Sequence, residues 1–285
     1  MRGFFSTRDK IMATAKKKAA APKKKAIAVG CHPDDIEFMM AGTLIMLQKA
    51  GYEVHYMTVA NGSLGTDKLS REQIVAMRRS ECVAAAKLAG MIYHESVCDD
   101  IEVMYNYDLI CKVAEVIRAV DPDIVLTHGP YDYMEDHICT GRLAVTAAFC
   151  RGMTNLRCRP DYPATLKEVA VYHSMPHSLT DQLRRPVIPE LYVNISPTMK
   201  LKENMLRCHV SQKEWLDVSQ GNDAYIEELT FRAKYFGKMS GKFPEAEGWI
   251  RHNHLGFGAE EFNPLLKDLG KNAFMTPRES NPFLN

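Results

Sequence analysis

Apolar and polar positions along the chain form short segments that predict strands and helices in alternation. The segment "AIAVGC" (26–31) is an apolar run that ends in turn residues, which predicts a strand. "GTLIMLQKAGYEV" (42–54) has helical spacing up to Gly51, and "EVHYMTVAN" (53–61) predicts a second strand. Both sides of this second strand are mostly apolar, which is typical of a strand covered on both faces.

The alternation continues with clearer start and stop signals. In "SREQIVAMRRSECVAAAKLAG", Ser70 is a typical helix N-cap and Gly90 a typical stop. "YDLICKVAEVIRAV" repeats the helical pattern, and "IVLTHG" then predicts a strand and a loop. Strands and helices therefore alternate through at least the first 150 residues, which predicts an α/β fold with a mostly parallel sheet and helices on both faces.

Beyond residue 149 the pattern is weaker. "EVAVYHS" and "ELYVNIS" predict later strands, and "NDAYIEELTFRAKYFGKMSG" predicts a helix. The segment "GWIRHNHLGFGAEEFNPLLKDLG" mixes aromatic residues, glycines and histidines, so it could cover a pocket or form a subunit contact. We predict a single domain over residues 26–285 that ends in this segment.

Composition and charge narrow the classes of partner. A chain of 285 residues with 46% hydrophobic content can bury a sizeable core, and its formal net charge of +1 does not indicate nucleic acid or an anionic membrane surface. A small-molecule partner is the default. The six lysines of "KKKAAAPKKKA" predict that residues 1–25 form a disordered basic tail, with a nucleic-acid or anionic-surface tether and a transit peptide as alternatives. No window is apolar for long enough to predict a membrane span.

The eight cysteines are scattered along the chain, without a CxxC pair. This usage predicts reduced thiols and a cytoplasmic location. Cys31 and Cys139 lie near histidines in the sequence but lack zinc-finger spacing, so we interpret both as packing residues.

The strongest chemical signal is "HPDD", which follows the first predicted strand. In a parallel α/β sheet, ligands bind beyond the carboxyl ends of the strands. A dinucleotide is excluded because GxGxxG is absent and adjacent carboxylates would repel a pyrophosphate. On this turn, His32 and one carboxylate of Asp34 and Asp35 could converge on a cation while the other carboxylate faces the substrate.

The remaining ligand should come from another strand end, because a catalytic zinc takes about three protein ligands and keeps one open position. "LTHGPYDYMEDHICTGRLAV" provides it: a strand ends near His128, and a polar loop leads to Asp136 and His137. We predict His137 as the third ligand. His128 taken alone is typical of a structural or merely exposed histidine.

These two motifs, "HPDDIEF" and "EDHICTGRL", resemble those of the PIG-L/LmbE-like family of zinc-dependent N-deacetylases, over about residues 26–263. The resemblance implies a Rossmann-like three-layer fold and one Zn²⁺ per chain, with other first-row divalent metals as alternatives. It also implies a general base at Asp34, and metal ligands at His32, Asp35 and His137. Asp136 is then predicted to act in catalysis by orienting an adjacent group.

Other positions are assigned by the same resemblance. Arg78 in "RRSECVAAAKLAG" is expected to reach a substrate hydroxyl or phosphate with Glu81 orienting it, although a surface ion pair is the alternative. Asp100 in "DDIEV" is expected to bind substrate, with Asp99 nearly as good a candidate. Ser63 stands where an acidic residue is common in the family.

One departure from the family affects the mechanism. Met134 stands where many members carry a histidine that stabilises the oxyanion, and a methionine has no proton to donate. Either another group replaces it or activity falls by about a hundredfold or more. The candidate substitutes, beside the metal itself, are His128, His173, His209 and Tyr133.

The function predicted from this resemblance is metal-dependent removal of an N-acetyl group from an amino sugar or N-acetylglucosamine conjugate. The alternatives are a metal-retaining sugar-binding protein with little turnover and an amidase that cleaves a larger amide. His128, His173 and His209 are also candidate substrate contacts, and "VYHSMPH", "CHVSQ" and "WIRHNHLGF" are the segments expected to select the aglycone. Relatives often form trimers or hexamers, so a homo-oligomer is expected.

Overall fold

A computed structural model describes residues 22–159, 161–212 and 224–276, and within them the predicted α/β fold is confirmed. The sheet has the strand order β3-β2-β1-β4-β5-β7-β6-β8. Neighbouring strands from β3 to β5 are parallel, whereas β7, β6 and β8 continue the sheet with antiparallel pairs. The strands are β1 Lys25–Gly30, β2 Glu53–Thr58, β3 Ile92–His94, β4 Ile124–His128, β5 Ala170–Ser174, β6 Leu191–Asn194, β7 Ala246–Arg251 and β8 Ala273–Met275.

Helices cover both faces of this sheet, as predicted. They are α1 Asp35–Met39, α2 Ala41–Lys49, α3 Arg71–Leu88, α4 Tyr107–Val120, α5 Glu135–Cys150, α6 Met199–Leu206, and the helices Ala224–Ser240 and Pro264–Leu269. Helix α3 begins where its sequence predicts, because Ser70 and Gln73 form a reciprocal capping box. In the described part of the chain, no helix combines the length and apolar character needed to cross a membrane.

Strand β1 lies in the middle of the parallel sheet and explains the apolar start of the domain. Ala26 and Ala28 join one buried core cluster, and Ile27 and Val29 join another on the opposite face. Its neighbour β4 runs parallel in a register that pairs Val29 with Thr127. The two motifs that follow β1 and β4 therefore emerge side by side at the same edge of the sheet.

The C-terminal part of the chain differs from what its sequence indicates. Ala246–Arg251, which includes the first residues of that segment, forms strand β7, inserted between β5 and β6. Trp249 is completely buried there, and its indole N–H donates to Thr43 Oγ1 over 3.0 Å. The strand was hard to recognise because Glu247 and Gly248 interrupt its apolar pattern.

Glu247 is tolerated in the core because its carboxylate is fully partnered. It accepts the backbone N–H groups of Gly42 and Thr43 at 2.8 and 2.7 Å, and it lies 2.6 Å from the Lys202 ammonium. Lys202 also donates to the carbonyl of Phe38 at 3.1 Å, in the helix that follows "HPDD". This buried ion pair therefore ties α6 and β7 to the first turn of α2 and to the end of α1.

We expect Lys202→Met to lower the free energy of unfolding by about 3 kcal/mol, because it leaves a buried carboxylate without its cation. Denaturant unfolding followed by circular dichroism measures this loss. The double variant with Glu247→Gln should recover part of it, whereas Lys49→Met, which removes an exposed lysine, should change the unfolding free energy by less than about 0.5 kcal/mol. Equal losses for Lys202→Met and Lys49→Met would contradict the expectation.

Of the predicted N-terminal tail, residues 1–21 lie outside the described residues, and Lys25 already belongs to β1.

Candidate metal centre

The turn between β1 and α1 sends its two adjacent carboxylates in different directions. Asp34 has a φ of 103°, a left-handed conformation that is strained for a residue other than glycine. Asp35 is the first residue of α1, and its Oδ2 accepts the backbone N–H of His32 at 2.7 Å. Asp35 thus faces the histidines, whereas Asp34 faces Arg78 and Tyr225.

His137 lies in the first turn of α5, because this helix already begins at Glu135. Its Nε2 lies 3.3 Å from Asp35 Oδ2, and its Nδ1 lies 3.1 Å from Asp132 Oδ2. Nε2 is buried and has no hydrogen-bond partner among the described residues. An imidazole held at one nitrogen by a carboxylate, with the other nitrogen buried and unpartnered, is the arrangement expected of a metal ligand.

The predicted ligand set converges on one oxygen. His32 Nδ1 lies 3.6 Å from Asp35 Oδ2, and the His32 and His137 rings are 5.4 Å apart between centroids. Burial alone would raise the pKa of Asp35, but the imidazoles of His137 and His128 hold it well below its usual range. Among the described residues, however, the trios whose ligand atoms all lie within 4.8 Å of one another contain His128 in place of His32, or Cys31 in place of His137.

His128 is buried next to His137 and Asp35. It is fully buried, its Nε2 accepts the backbone N–H of Cys31 at 2.9 Å, and its ring stacks on His137 at 4.2 Å between centroids. Its Nε2 is also 3.4 Å from Asp35 Oδ2, so Asp35, His128 and His137 form a second possible ligand group. Because His128 Nε2 accepts a hydrogen bond, it is not positioned to donate to a substrate.

Cys31 belongs to a buried core cluster and also lies beside His32. Its Sγ lies 3.7 Å from His32 Nε2, and Cys31, His32 and Asp35 form a further group with the spacing of metal ligands. Burial raises the pKa of the Cys31 thiol, which keeps the proton on sulfur in the absence of a cation.

Asp34 is held by two donors. Its Oδ2 accepts from Tyr225 Oη at 2.6 Å and from Arg78 Nη2 at 3.2 Å, and Arg78 Nη2 also donates to the carbonyl of Pro33. Burial raises the pKa of Asp34, against the opposing charge of Arg78. Glu81 does not orient Arg78, since both of its oxygens accept from Ser211 at 2.8 and 2.7 Å.

The carboxylates of Asp136 and Asp100 hold the loops around the site. Asp136 Oδ2 lies 3.1 Å from His32 Nε2 and accepts the backbone N–H of Ile101 at 2.8 Å. Asp100 accepts the backbone N–H groups of Gly62 and Leu64 at 2.7 and 2.9 Å. Asp136 therefore orients His32, as expected for its position, while the oxygens of Asp100 are engaged by the loop after β2.

A cavity of about 650 Å³ opens above this cluster. The predicted site residues that line it are His32, Asp34, Asp35, Arg78, Asp100, Asp136 and His137. Met134 and Tyr133 line it as well.

Other sequence candidates lie elsewhere. Asp99 pairs with Arg71 outside the cavity lining. His173 lines a separate cavity of about 170 Å³, with its ring nitrogens 2.8 Å from the carbonyl of His128 and 2.9 Å from His252 Nδ1. His209 is fully buried, 3.4 Å from Glu37.

Four residues of the site were missed by sequence reasoning. Tyr225 touches Asp34 across 191 residues of chain, and His177 lines the cavity although only its segment was noted. Arg232 donates to the carbonyls of Pro176 and His177, which fixes that turn against the cavity. Asp132 alone had a local signal, since it is the acidic residue just before the helix that carries His137.

We expect Asp132→Asn to weaken zinc binding by about 10- to 100-fold, because an amide holds the His137 tautomer and ring less firmly than a carboxylate. Competition with a chromophoric chelator measures the zinc affinity directly. Asp99→Asn is the matched control, since its carboxylate pairs with Arg71 outside the cavity and should leave the affinity unchanged. Equal zinc affinities for the wild type and Asp132→Asn would contradict the assignment.

Comparisons with known proteins find one matching family model and several similar proteins. The family model described as PIG-L, GlcNAc-PI de-N-acetylase, matches residues 27–148. A diacetylchitobiose deacetylase of Thermococcus kodakarensis is 29% identical over 229 residues, which cover 76% of this chain and 79% of that protein. The solved structure of the N,N'-diacetylchitobiose deacetylase of Pyrococcus horikoshii superposes with a TM-score of 0.69 at 25% identity, covering 85% of this chain and 88% of the other.

One matched relative carries a different activity in its name. A 4-oxalmesaconate hydratase of Pseudomonas putida is 27% identical over 136 residues, which cover 44% of this chain and 52% of that protein.

Proposed function

We propose, from the match of residues 27–148 to the PIG-L family model, that the chain is a metal-dependent hydrolase that removes an N-acetyl group from an amino-sugar conjugate. Two relatives named as deacetylases of diacetylchitobiose support the reaction class. A zinc ion is the proposed cofactor, held by His32, Asp35 and His137.

The observation that carries this proposal is the unpartnered nitrogen of His137. A buried imidazole nitrogen without a hydrogen bond is costly in a folded protein. Here it points at the ionised Asp35 while Asp132 holds the other nitrogen. His137 and Asp35 both line a cavity large enough for a substrate. A cation bound between these groups would give His137 Nε2 the partner that it lacks.

The chain's own residues then divide the chemistry. A divalent metal bound there supplies a Lewis acid that polarises an amide carbonyl and acidifies water. Asp34 accepts a proton from the attacking water, and its raised pKa suits it to return that proton to the leaving amine. Tyr225 and Arg78 fix the Asp34 carboxylate, so its free lone pairs face the cavity.

His177 is the proposed replacement for the donor that Met134 lacks. Its ring lines the cavity and packs edge-on against Phe38, at 5.1 Å between centroids. Burial lowers the pKa of His177 to about 4, so at neutral pH it is an uncharged imidazole with one N–H. Arg232 fixes its backbone, which positions the ring before substrate binds.

For the zinc-loaded enzyme, Asp34→Asn should lower the rate of acetate release from an N-acetylglucosamine conjugate by about 100-fold or more, because an amide cannot accept the proton. Acetate is measured by a coupled assay, and bound zinc by mass spectrometry. His32→Ala should lose both zinc and turnover, whereas Asp34→Asn should retain zinc. Undiminished turnover by the zinc-free wild-type protein would contradict the proposal.

His177→Ala should lower kcat by about 100-fold with a smaller change in KM, since the lost donor acts on the transition state. Met134→His in the His177→Ala background should restore part of kcat by supplying a donor from another position in the cavity lining. His254→Ala removes a histidine outside the lining of this cavity and serves as the control for kcat. An unchanged kcat in His177→Ala would assign the oxyanion to another donor.

Hydration of an unsaturated acid is a second candidate, because one matched relative is named as a hydratase. The charge of the cavity argues against it. Among the described lining residues the acidic ones are Asp34, Asp35, Asp100, Glu135, Asp136 and Glu228. Arg78 is the single arginine or lysine among the described lining residues, and it already pairs with Asp34, so a polycarboxylate would find no free cationic side chain there.

The other alternative is a protein that binds metal and sugar but no longer turns substrate over. It is motivated by Met134, which cannot donate a proton to the oxyanion. It predicts sugar binding to the zinc-loaded wild type without acetate release from any conjugate. An amidase acting on a larger amide would instead release a heavier acid, which product mass spectrometry detects.

A further inference from the structure

We infer that the mouth of the large cavity is built to hold an apolar group, so the preferred substrate is an N-acetylated amino sugar with an uncharged alkyl or aryl aglycone. The sugar part of this inference rests on the proposed function. The aglycone part rests on a separate set of residues, at the rim of the cavity rather than at the metal cluster.

The rim presents apolar side chains to solvent. Leu64 is 55% exposed and Ile101 is 72% exposed, and both line the cavity. Tyr133, Met134 and Phe38 line it as well, so this apolar surface reaches from the rim into the cavity beside the polar cluster. A substrate lying across both surfaces would place its polar part near the metal ligands and an apolar part against Leu64 and Ile101.

These two exposed residues are anchored by buried carboxylates. The backbone N–H of Leu64 donates to Asp100 at 2.9 Å, and that of Ile101 donates to Asp136 at 2.8 Å. Asp136 also contacts His32, so the position of Ile101 is tied to the metal cluster itself. Charge-assisted hydrogen bonds of this kind hold the backbone at the two positions that carry these apolar side chains.

Ile101 is also in an unfavourable conformation. Its φ is 58°, in the left-handed region where a β-branched residue is an outlier and glycine or asparagine would be relaxed. The side chain gains little burial in return, since 72% of it is exposed. Strain of this kind at the edge of a site indicates a functional constraint, here contact with a bound molecule.

The charges of the cavity select among possible aglycones. Among the described lining residues six are acidic, and Arg78 is engaged by Asp34, so a phosphorylated or carboxylated aglycone would find no free arginine or lysine to pair with. The volume of about 650 Å³ is in the range of sites that hold drug-sized ligands, which leaves room beyond one sugar ring. An uncharged apolar group needs no cationic partner and can occupy the remaining volume.

The test compares binding of methyl and phenyl β-N-acetylglucosaminides and of diacetylchitobiose to the zinc-loaded protein, by titration calorimetry. We expect the phenyl glycoside to bind at least about tenfold more tightly than the methyl glycoside, a difference of about 1.4 kcal/mol. Leu64→Ser and Ile101→Asn should each weaken the phenyl glycoside by about five- to tenfold and leave the methyl glycoside within twofold. Leu183→Ser, at a position 64% exposed outside the cavity lining, is the matched control.

Stability provides a second readout. Asparagine tolerates the left-handed conformation, so Ile101→Asn should keep or raise the melting temperature while it weakens phenyl glycoside binding. A lower melting temperature together with unchanged binding would make Ile101 a structural residue and overturn the inference. Equal affinities of the methyl and phenyl glycosides, or tighter binding of diacetylchitobiose than of the phenyl glycoside, would overturn it as well.

Acetate release from the same glycosides separates the two proposals. If the phenyl glycoside binds preferentially but no glycoside is hydrolysed, the deacetylase proposal fails and the apolar subsite stands. If all glycosides are hydrolysed with equal kcat/KM and equal affinity, the deacetylase proposal stands and the apolar subsite fails.

Discussion

The Asp35 carboxylate is the charge around which the site is assembled. It is buried yet ionised, because His137 and His128 lie against it and the backbone N–H of His32 donates to it. An isolated carboxylate at this depth would be strongly disfavoured. The donors arrive from two strand ends and a helix start, so the site forms only when β1, β4 and α5 are all in place. Close approach is needed as well: a side chain at Gly141 would lie 2.6 Å from the carbonyl oxygen of His128.

Three further carboxylates hold the residues around the site. Asp132 holds His137, Asp136 holds His32 and the loop at Ile101, and Asp100 holds the loop at Leu64. Each of these acids lies near the cavity and, in isolation, resembles a catalytic group. Their contacts show instead that most of the negative charge is used to position imidazoles and backbone amides. Asp34 stands apart, because its partners Tyr225 and Arg78 leave it facing the cavity.

The fold and the proximity of the two polar motifs could be predicted from the sequence for a physical reason. Strand β1 is buried on both faces, so its apolar run stands out, and the ends of parallel strands meet at one edge. His32, Asp35 and His137 follow two such strands directly. Strand β7 was missed because Glu247 is buried through an ion pair with Lys202, a partner that no local pattern announces.

The sequence by itself determined the α/β alternation, the helix caps and the spacing of "HPDD" from the histidine in α5, since these depend on neighbouring residues. Tertiary structure alone decided which groups meet across long stretches of chain. It placed Tyr225 on Asp34, His177 in the cavity and His173 outside it. Such contacts depend on how the helix Ala224–Ser240 and the antiparallel strands pack. A sequence periodicity of two or 3.6 residues carries no information about that packing.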